Sequence, residues 1–363
     1  MNAESIKVTK PKTKNFSFVD SIRCISMIGI IIEHCGVVSP NHYSRQFENI
    51  IESCIIQSFK FSTIAFFLIG GFLINHKFDE YTPFQYLKNR FKKTIGPWLF
   101  WIFILIMLGI LDRFIAHSRG SAMGLVGSNF FLYLYETFTQ LVLISPYWFI
   151  LNFLICITVL LLFKKYLYNV WFGVALALFS LFYSLNIYEG WIATTHTTAI
   201  FGFIFYLWLG VYFNEYYDKV MGMIKAASWF IIITLALVSF CLAVGESTYL
   251  NSIGIKDAYN TLRLSNIIYS LIMFVLLLKV GSLNWLQRNL RPRETTFGIY
   301  LIHVIIIGRG LPLIFQPLEL NFLEFNVWQN TGILLFRFLV VYSISFFLTK
   351  AIGKTKMKWM VGN

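Results

Sequence analysis

Ionisable groups set inside apolar runs stand out first, because each costs a few kcal/mol to hold in hydrocarbon and so marks a site. The first run reads Phe18-Val-Asp20-Ser-Ile-Arg23, continues through an apolar stretch, and ends at Glu33-His34-Cys35. On a helix turning about 100° per residue, Asp20, Arg23 and His34 fall within a sector of roughly 60°, with roughly 16 Å of axis between Arg23 and His34. An imidazole of ordinary pKa, about 6.5, takes a proton from a hydroxyl at neutral pH, which makes His34 a general-base candidate at one end of a polar passage. A plainer reading makes Asp20 and Arg23 an i,i+3 ion pair at the interface and His34 a helix-end residue among headgroups; it leaves the alignment with His34 as coincidence. Glu33, about 100° away, is expected to face elsewhere.

A second signal is Thr295-Thr296-Phe-Gly298-Ile-Tyr300-Leu-Ile-His303. Tyr300 and His303 are i,i+3 neighbours on one face and could hydrogen-bond together inside a bundle, although a lone histidine in a span is as often a packing residue. Arg309, two turns on, makes that face more polar than packing needs. A third signal is the basic run Tyr86-Leu-Lys88-Asn-Arg90-Phe-Lys92-Lys93-Thr-Ile-Gly-Pro97. It reads either as attraction to anionic lipid that sets topology, or as a clamp for the phosphates of a cytosolic donor, completed by Arg288, Arg291 and Arg293.

The elements that must position these groups follow from composition. Of 363 residues 57% are hydrophobic and 13% charged, which excludes an ordinary soluble domain. Ten mostly apolar stretches, 17–37, 54–74, 97–116, 147–163, 168–186, 197–214, 226–244, 262–280, 295–315 and 331–352, are each read as long enough to cross about 30 Å of hydrocarbon as a helix. None alternates with period two, which excludes a β-barrel. The expected fold is an all-α integral membrane protein, a bundle of about ten transmembrane helices. The net charge of +13 does not point to nucleic acid, because the cations follow the membrane. Lys7 to Lys14, Lys77 to Lys93, Lys164 and Lys165, Lys219 and Lys225, Arg288 to Arg293 and Lys354 to Lys358 alternate with loops holding only Arg45, Arg119 and Lys256, which predicts that both termini are cytoplasmic. The expected organisation is a basic tail at 1–16, one transmembrane domain at 17–352 and a basic tail at 353–363. The first run lacks a convincing cleavage site and is read as an uncleaved span. Asn129–Ser145 is read as an interfacial or re-entrant helix, since an extra span there would invert the charge asymmetry of every later loop. Cys24, Cys35, Cys54, Cys156 and Cys241 have no metal-ligand spacing, and no metal or disulfide framework is expected from them.

Taken in order, these residues resemble acyltransferase family 3, membrane proteins that O-acylate bacterial surface glycans. The resemblance runs through Asp20-x2-Arg23 and His34, Phe66-Phe67-Leu-Ile-Gly70-Gly71-Phe72-Leu73-Ile74, Arg90-x2-Lys93-x3-Pro97, Tyr147-Trp148-Phe149 and Gly298-Ile-Tyr300-Leu-Ile-His303. It implies some ten helices in the cell (inner) membrane, an acyl-CoA donor (acetyl-CoA at the level of the family) reached from the cytoplasm, and an acceptor hydroxyl on a surface or lipid-linked glycan reached from outside. It implies that His34 matches the proposed catalytic histidine and Arg90 the first arginine of a donor-site Arg-x2-Arg motif. Lys93 stands where the second arginine is usual, which keeps charge but loses the planar fork. Gly70 stands where the serine of a Ser-Gly pair is usual, so no hydroxyl acts there.

The expected reaction is acyl transfer across the bilayer. Arg90, Lys93 and Arg23 hold the CoA phosphates, the pantetheine arm follows the stripe, His34 deprotonates the acceptor, Asp20 belongs to the catalytic stripe, and Tyr300 or His303 donates to the oxyanion. A covalent route through Cys35 is disfavoured by its rotation of about 100° from His34. Competing readings are a transporter or flippase of a lipid-linked glycan, in which the stripe is a translocation path, and a non-catalytic partner in glycan export. The sequence is compatible with either an acetyl or a succinyl group.

Overall fold

The computed structural model describes residues 16–75, 77, 82–119 and 128–363, so the expected tail at 1–16 lies almost wholly outside the described residues. Those residues form helices and no strand. In chain order the helices are α1 (Ser17–His34), α2 (Gln46–Gln57), α3 (Ser62–Asn75), α4 (Pro83–Ser118), α5 (Ser128–Thr139), α6 (Trp148–Leu162), α7 (Val170–Glu189) and α8 (Ile200–Glu215). They continue with α9 (Tyr217–Ala226), α10 (Trp229–Ser252), α11 (Leu264–Val280), α12 (Asn284–Leu290), α13 (Pro292–Ile305), α14 (Leu311–Phe315) and α15 (Val327–Gly353).

Each of the ten expected apolar runs is helical along most of its length. Length and composition, however, qualify six continuous helical stretches among the described residues as able to cross a membrane, or eight if two bent pairs each count as one span. Two of the expected spans, α1 and α8, do not qualify. α1 carries Asp20, Arg23 and Glu33 within 18 residues, and α8, though apolar, has only 16. The Asn129–Ser145 segment is helical and joins α6 through a bend of 62°, while α12 turns from α11 by 98°.

The start of α4 corrects the sequence reading. Pro97 was expected in the first turn of the third span, yet it lies inside a helix that begins at Pro83. Thr82 accepts from the Gln85 N–H while Gln85 accepts from the Thr82 N–H, and Pro83 sits at the first helical position, so capping starts the helix well before the apolar run. The basic run is therefore helical, and Arg90, Lys93 and Thr94 share one face as i, i+3 and i+4 neighbours.

Two close approaches fix the bundle. A Cβ on Gly71 of α3 would lie 1.9 Å from the Leu207 carbonyl oxygen, and one on Gly210 of α8 would lie 2.0 Å from that of Leu68. Lipid tails give apolar side chains no reason to leave them, so such backbone contact through small residues is what holds membrane helices together. α1 packs against α3, α12, α13 and α15, which encloses its polar stripe in protein.

Candidate active site

Helices α1 and α13 run side by side and parallel, each carrying an arginine within its first two turns and a histidine about three turns after it. Spacings of i, i+4, i+7 put Arg23, Met27 and Ile30 on one face of α1, and spacings of i, i+3, i+7 put Arg293, Thr296 and Tyr300 on one face of α13. Between these faces lies a cavity of about 300 Å³. α3 closes it with Phe66, Ile69, Gly70 and Leu73, α4 with Arg90, Lys93 and Thr94, and α6 with Phe149, Ile150 and Phe153. Four cations, Arg23, Arg90, Lys93 and Arg293, thus line one apolar chamber. The Arg90 guanidinium lies 5.6 Å from the centre of the Phe153 ring, a cation–π contact that orients it.

Asp20 is where the chain gathers these cations. It is buried, and its Oδ2 accepts from Nε of Arg293 at 2.8 Å, with Nη2 of the same arginine also at 2.8 Å. Its Oδ1 accepts from Nη1 of Arg23 at 3.4 Å. One carboxylate therefore ties α1 to α13 at the cationic end. It lies roughly 21 Å of helix axis from His34, so the structure does not bring Asp20 to the histidines as the catalytic role expected. Of the other expected clamp residues, Arg288 is exposed and lines no part of the cavity, and Arg291 ends α12 in the left-handed conformation and pairs with Glu294 at 3.9 Å.

At the opposite end the two histidines meet. His34 lies one turn beyond Ile30, and its ring centre is 5.5 Å from that of His303, one turn beyond Tyr300. His303 is fully buried, and its Nδ1 lies 2.5 Å from the Tyr300 carbonyl oxygen. A carbonyl only accepts, so Nδ1 carries the proton and Nε2 is a bare acceptor, without a hydrogen-bond partner among the described residues. The Tyr300 hydroxyl donates to the Pro146 carbonyl. Both groups sit at this end, but with their N–H and O–H engaged on backbone carbonyls neither is free to donate to an oxyanion in this arrangement. Tyr147 donates to the Leu301 carbonyl at 2.6 Å, which fixes α13 against the start of α6 from the other side.

Other polar and ionisable residues find their partners around this end and beside it. Glu33 faces away from the cavity, as its angle suggested, and pairs with Lys60 at 3.6 Å. Trp148 stacks on His196 at 4.4 Å between ring centres, and the His196 Nε2 is 3.3 Å from the Thr261 hydroxyl. The fully buried Arg263 donates to the Ala243 carbonyl at 2.9 Å and to Gln57 at 2.6 Å, with Glu246 3.8 Å away. Charged residues at the borders of the α10 and α11 runs, Glu246 and Arg263, were the signal that could have found this brace. Arg309 pairs with Asp112 of α4. Cys35 is buried in an apolar cluster with Ile31, Ile302 and Val341. Among the described residues no group of three or more His, Cys, Asp or Glu comes together that could hold a metal ion.

The motifs from α1 to α13 thus surround one chamber, and the same stretch is what a family model recognises: the model described as an acyltransferase domain (Acyl_transf_3) matches residues 16–350. The chain belongs to acyltransferase family 3. It is a membrane acyltransferase of all-helical fold. No curated protein and no solved structure matches it. Gly70 of α3 lines the same chamber. Here a Cβ would lie 2.5 Å from the Phe153 ring, so the phenylalanine that holds Arg90 occupies the space a serine side chain would need.

Proposed function

We propose that this acyltransferase moves an acyl group, acetyl at the level of the family, from cytosolic acyl-CoA to a hydroxyl of a surface polysaccharide or its lipid-linked precursor. The observation that carries this reading is a cavity with four cations at one end and a histidine pair about one helical turn beyond the other. Arg23, Arg90, Lys93 and Arg293 hold the phosphates of CoA, each an anion that a guanidinium or ammonium binds by charge-assisted hydrogen bonds. Asp20 keeps Arg23 and Arg293 together and is a positioning residue. The pantetheine arm lies along Met27, Ile30 and Phe149, and the thioester stands beyond Tyr300. His34 takes the proton of the acceptor hydroxyl as its oxygen attacks the acyl carbon; the C–S bond breaks, and the CoA thiolate recovers the proton. The bare Nε2 of His303 beside it holds an N–H or O–H of the reacting pair in line. Tyr300 shapes the chamber by holding the bend before α6.

In this reading α1 and α8 cross the membrane in addition to the eight stretches that qualify by length, giving ten spans with both termini in the cytoplasm of a cell with the cationic mouth inward. Burial of α1 among four helices supports it, because protein rather than lipid surrounds its charges. The test is release of free CoA from acetyl-CoA by proteoliposomes given native cell-envelope glycan, for wild type and His34→Ala. Acceptor-dependent release that falls at least 100-fold in the variant is expected. A wild-type protein that binds and cleaves no acyl-CoA while it moves lipid-linked glycan across the bilayer would replace the enzyme by a transporter.

A further inference from the structure

Helix α15 presents most of its surface to lipid, with 17% of its apolar stretch buried. Its buried side is narrow: Asn330, Val341, Ser345 and Thr349 follow one another at helical spacing along a single stripe. Arg337 precedes Val341 by one turn and belongs to that stripe, on the side of α15 that packs against α13 and α1; the residue is half-buried, with its Nε enclosed. Val341, fully buried, shares an apolar cluster with Cys35 and Ile302, the neighbours in sequence of His34 and His303. Cys35 is within electrostatic reach of the Arg337 guanidinium.

Among the described residues Arg337 makes no ion pair, hydrogen bond or ring contact, and its Nε is fully buried without a partner. Three carboxylates of neighbouring helices have other partners: Glu33 pairs through Oε2 with Lys60, Asp112 with Arg309, and Glu52 accepts from the Asn41 N–H at 3.1 Å. An arginine inside a span is costly to keep unless it meets an anion, and its planar fork matches a carboxylate with two parallel hydrogen bonds. The four cations of the cavity serve the opposite end of the site, so the phosphates of CoA do not supply that anion.

We propose that Arg337 binds a substrate carboxylate at the acyl-transfer end of the site, carried either on the far end of the transferred acyl group or on the acceptor sugar. This rests on the acyl-transfer reading above and narrows its substrates, favouring a dicarboxylic acyl donor such as succinyl-CoA or a uronic-acid acceptor over a reaction in which both partners are neutral.

The experiment compares full-length wild type, Arg337→Gln and Arg337→Lys in proteoliposomes, in two arms. The donor arm sets succinyl-CoA against butyryl-CoA, which has the same chain length without the charge. The acceptor arm uses acetyl-CoA and sets oligosaccharides containing glucuronic acid against their glucose counterparts. In one arm, the wild type is expected to prefer the carboxylated substrate by roughly 10–100-fold in kcat/KM, the range for a charge-assisted bidentate contact. Arg337→Gln should bring that ratio close to 1, and Arg337→Lys should retain part of it; the arm that responds identifies the source. A wild type without preference in either arm, or a preference that survives in Arg337→Gln, overturns the proposal. If no donor releases CoA, acyl transfer itself fails, and Arg337 is then read by thermal protection: a carboxylated probe that raises the melting temperature of wild type but not of Arg337→Gln keeps the anion site, and equal protection of both removes it.

Discussion

Asp20→Asn separates a positioning role from a catalytic one. The amide keeps the shape of the side chain but removes the charge that receives Arg293 through two contacts of 2.8 Å and Arg23 at 3.4 Å. A hydrogen bond between charged groups contributes about 1.5–3 kcal/mol and a neutral one about 0.5–1.5, so the exchange costs about 1–2 kcal/mol per close contact. The Arg293 side chain is 57% exposed, and solvent screening brings the total for the pair down to about 1–2 kcal/mol. If that free energy is spent on holding Arg23 and Arg293 in place for the donor, KM for acyl-CoA rises roughly 5–30-fold. The kcat should stay within about threefold, because Asp20 lies some 21 Å of helix axis from His34. The assay is initial-rate CoA release over a range of acetyl-CoA concentrations, with melting temperature measured in parallel. A fall in kcat of more than about 100-fold at unchanged KM, the mark of a group acting in the transition state, would refute the argument and restore Asp20 to the catalytic machinery.

Two further outcomes follow from packing. Gly71→Ala places a methyl group 1.9 Å from the Leu207 carbonyl oxygen, so α3 and α8 must separate, at a cost of about 3 kcal/mol, and the melting temperature in detergent should fall by several degrees. Gly245→Ala in α10, with open space at its Cβ, is the control and should match or slightly exceed wild type; equal stability of the two variants would sink the close-approach argument. Tyr300→Phe leaves the Pro146 carbonyl without its donor, which should lower stability by about 1–3 kcal/mol and kcat by less than tenfold. A loss of kcat near that of His34→Ala, with melting unchanged, would show instead that the hydroxyl takes part in the chemistry.

The chamber was partly legible in the chain because one helix is a regular object. Fixed rotation and rise put Arg23 and His34 on one stripe and Tyr300 beside His303, whatever surrounds them. The basic run around Arg90 was legible in kind but not in direction, since an apolar-run reading begins α4 at Pro97 and the cap at Thr82 begins it at Pro83. Lys60, His196 and Arg337 were not legible as parts of the site, because their neighbours come from helices distant in sequence.

Composition and charge asymmetry determined a helical membrane protein on their own, because the bilayer demands runs of apolar residues and sorts the cations between them. Motif order determined the family. Only the packing of separate helices decided that Asp20 contacts the arginines rather than the histidines, that His303 presents a bare Nε2, and that Arg337 lies on the side of α15 facing α13 and α1. Those outcomes depend on which partner each polar atom finds within about 3 Å, a distance set by how separate helices meet and not by the spacing of residues along any one of them.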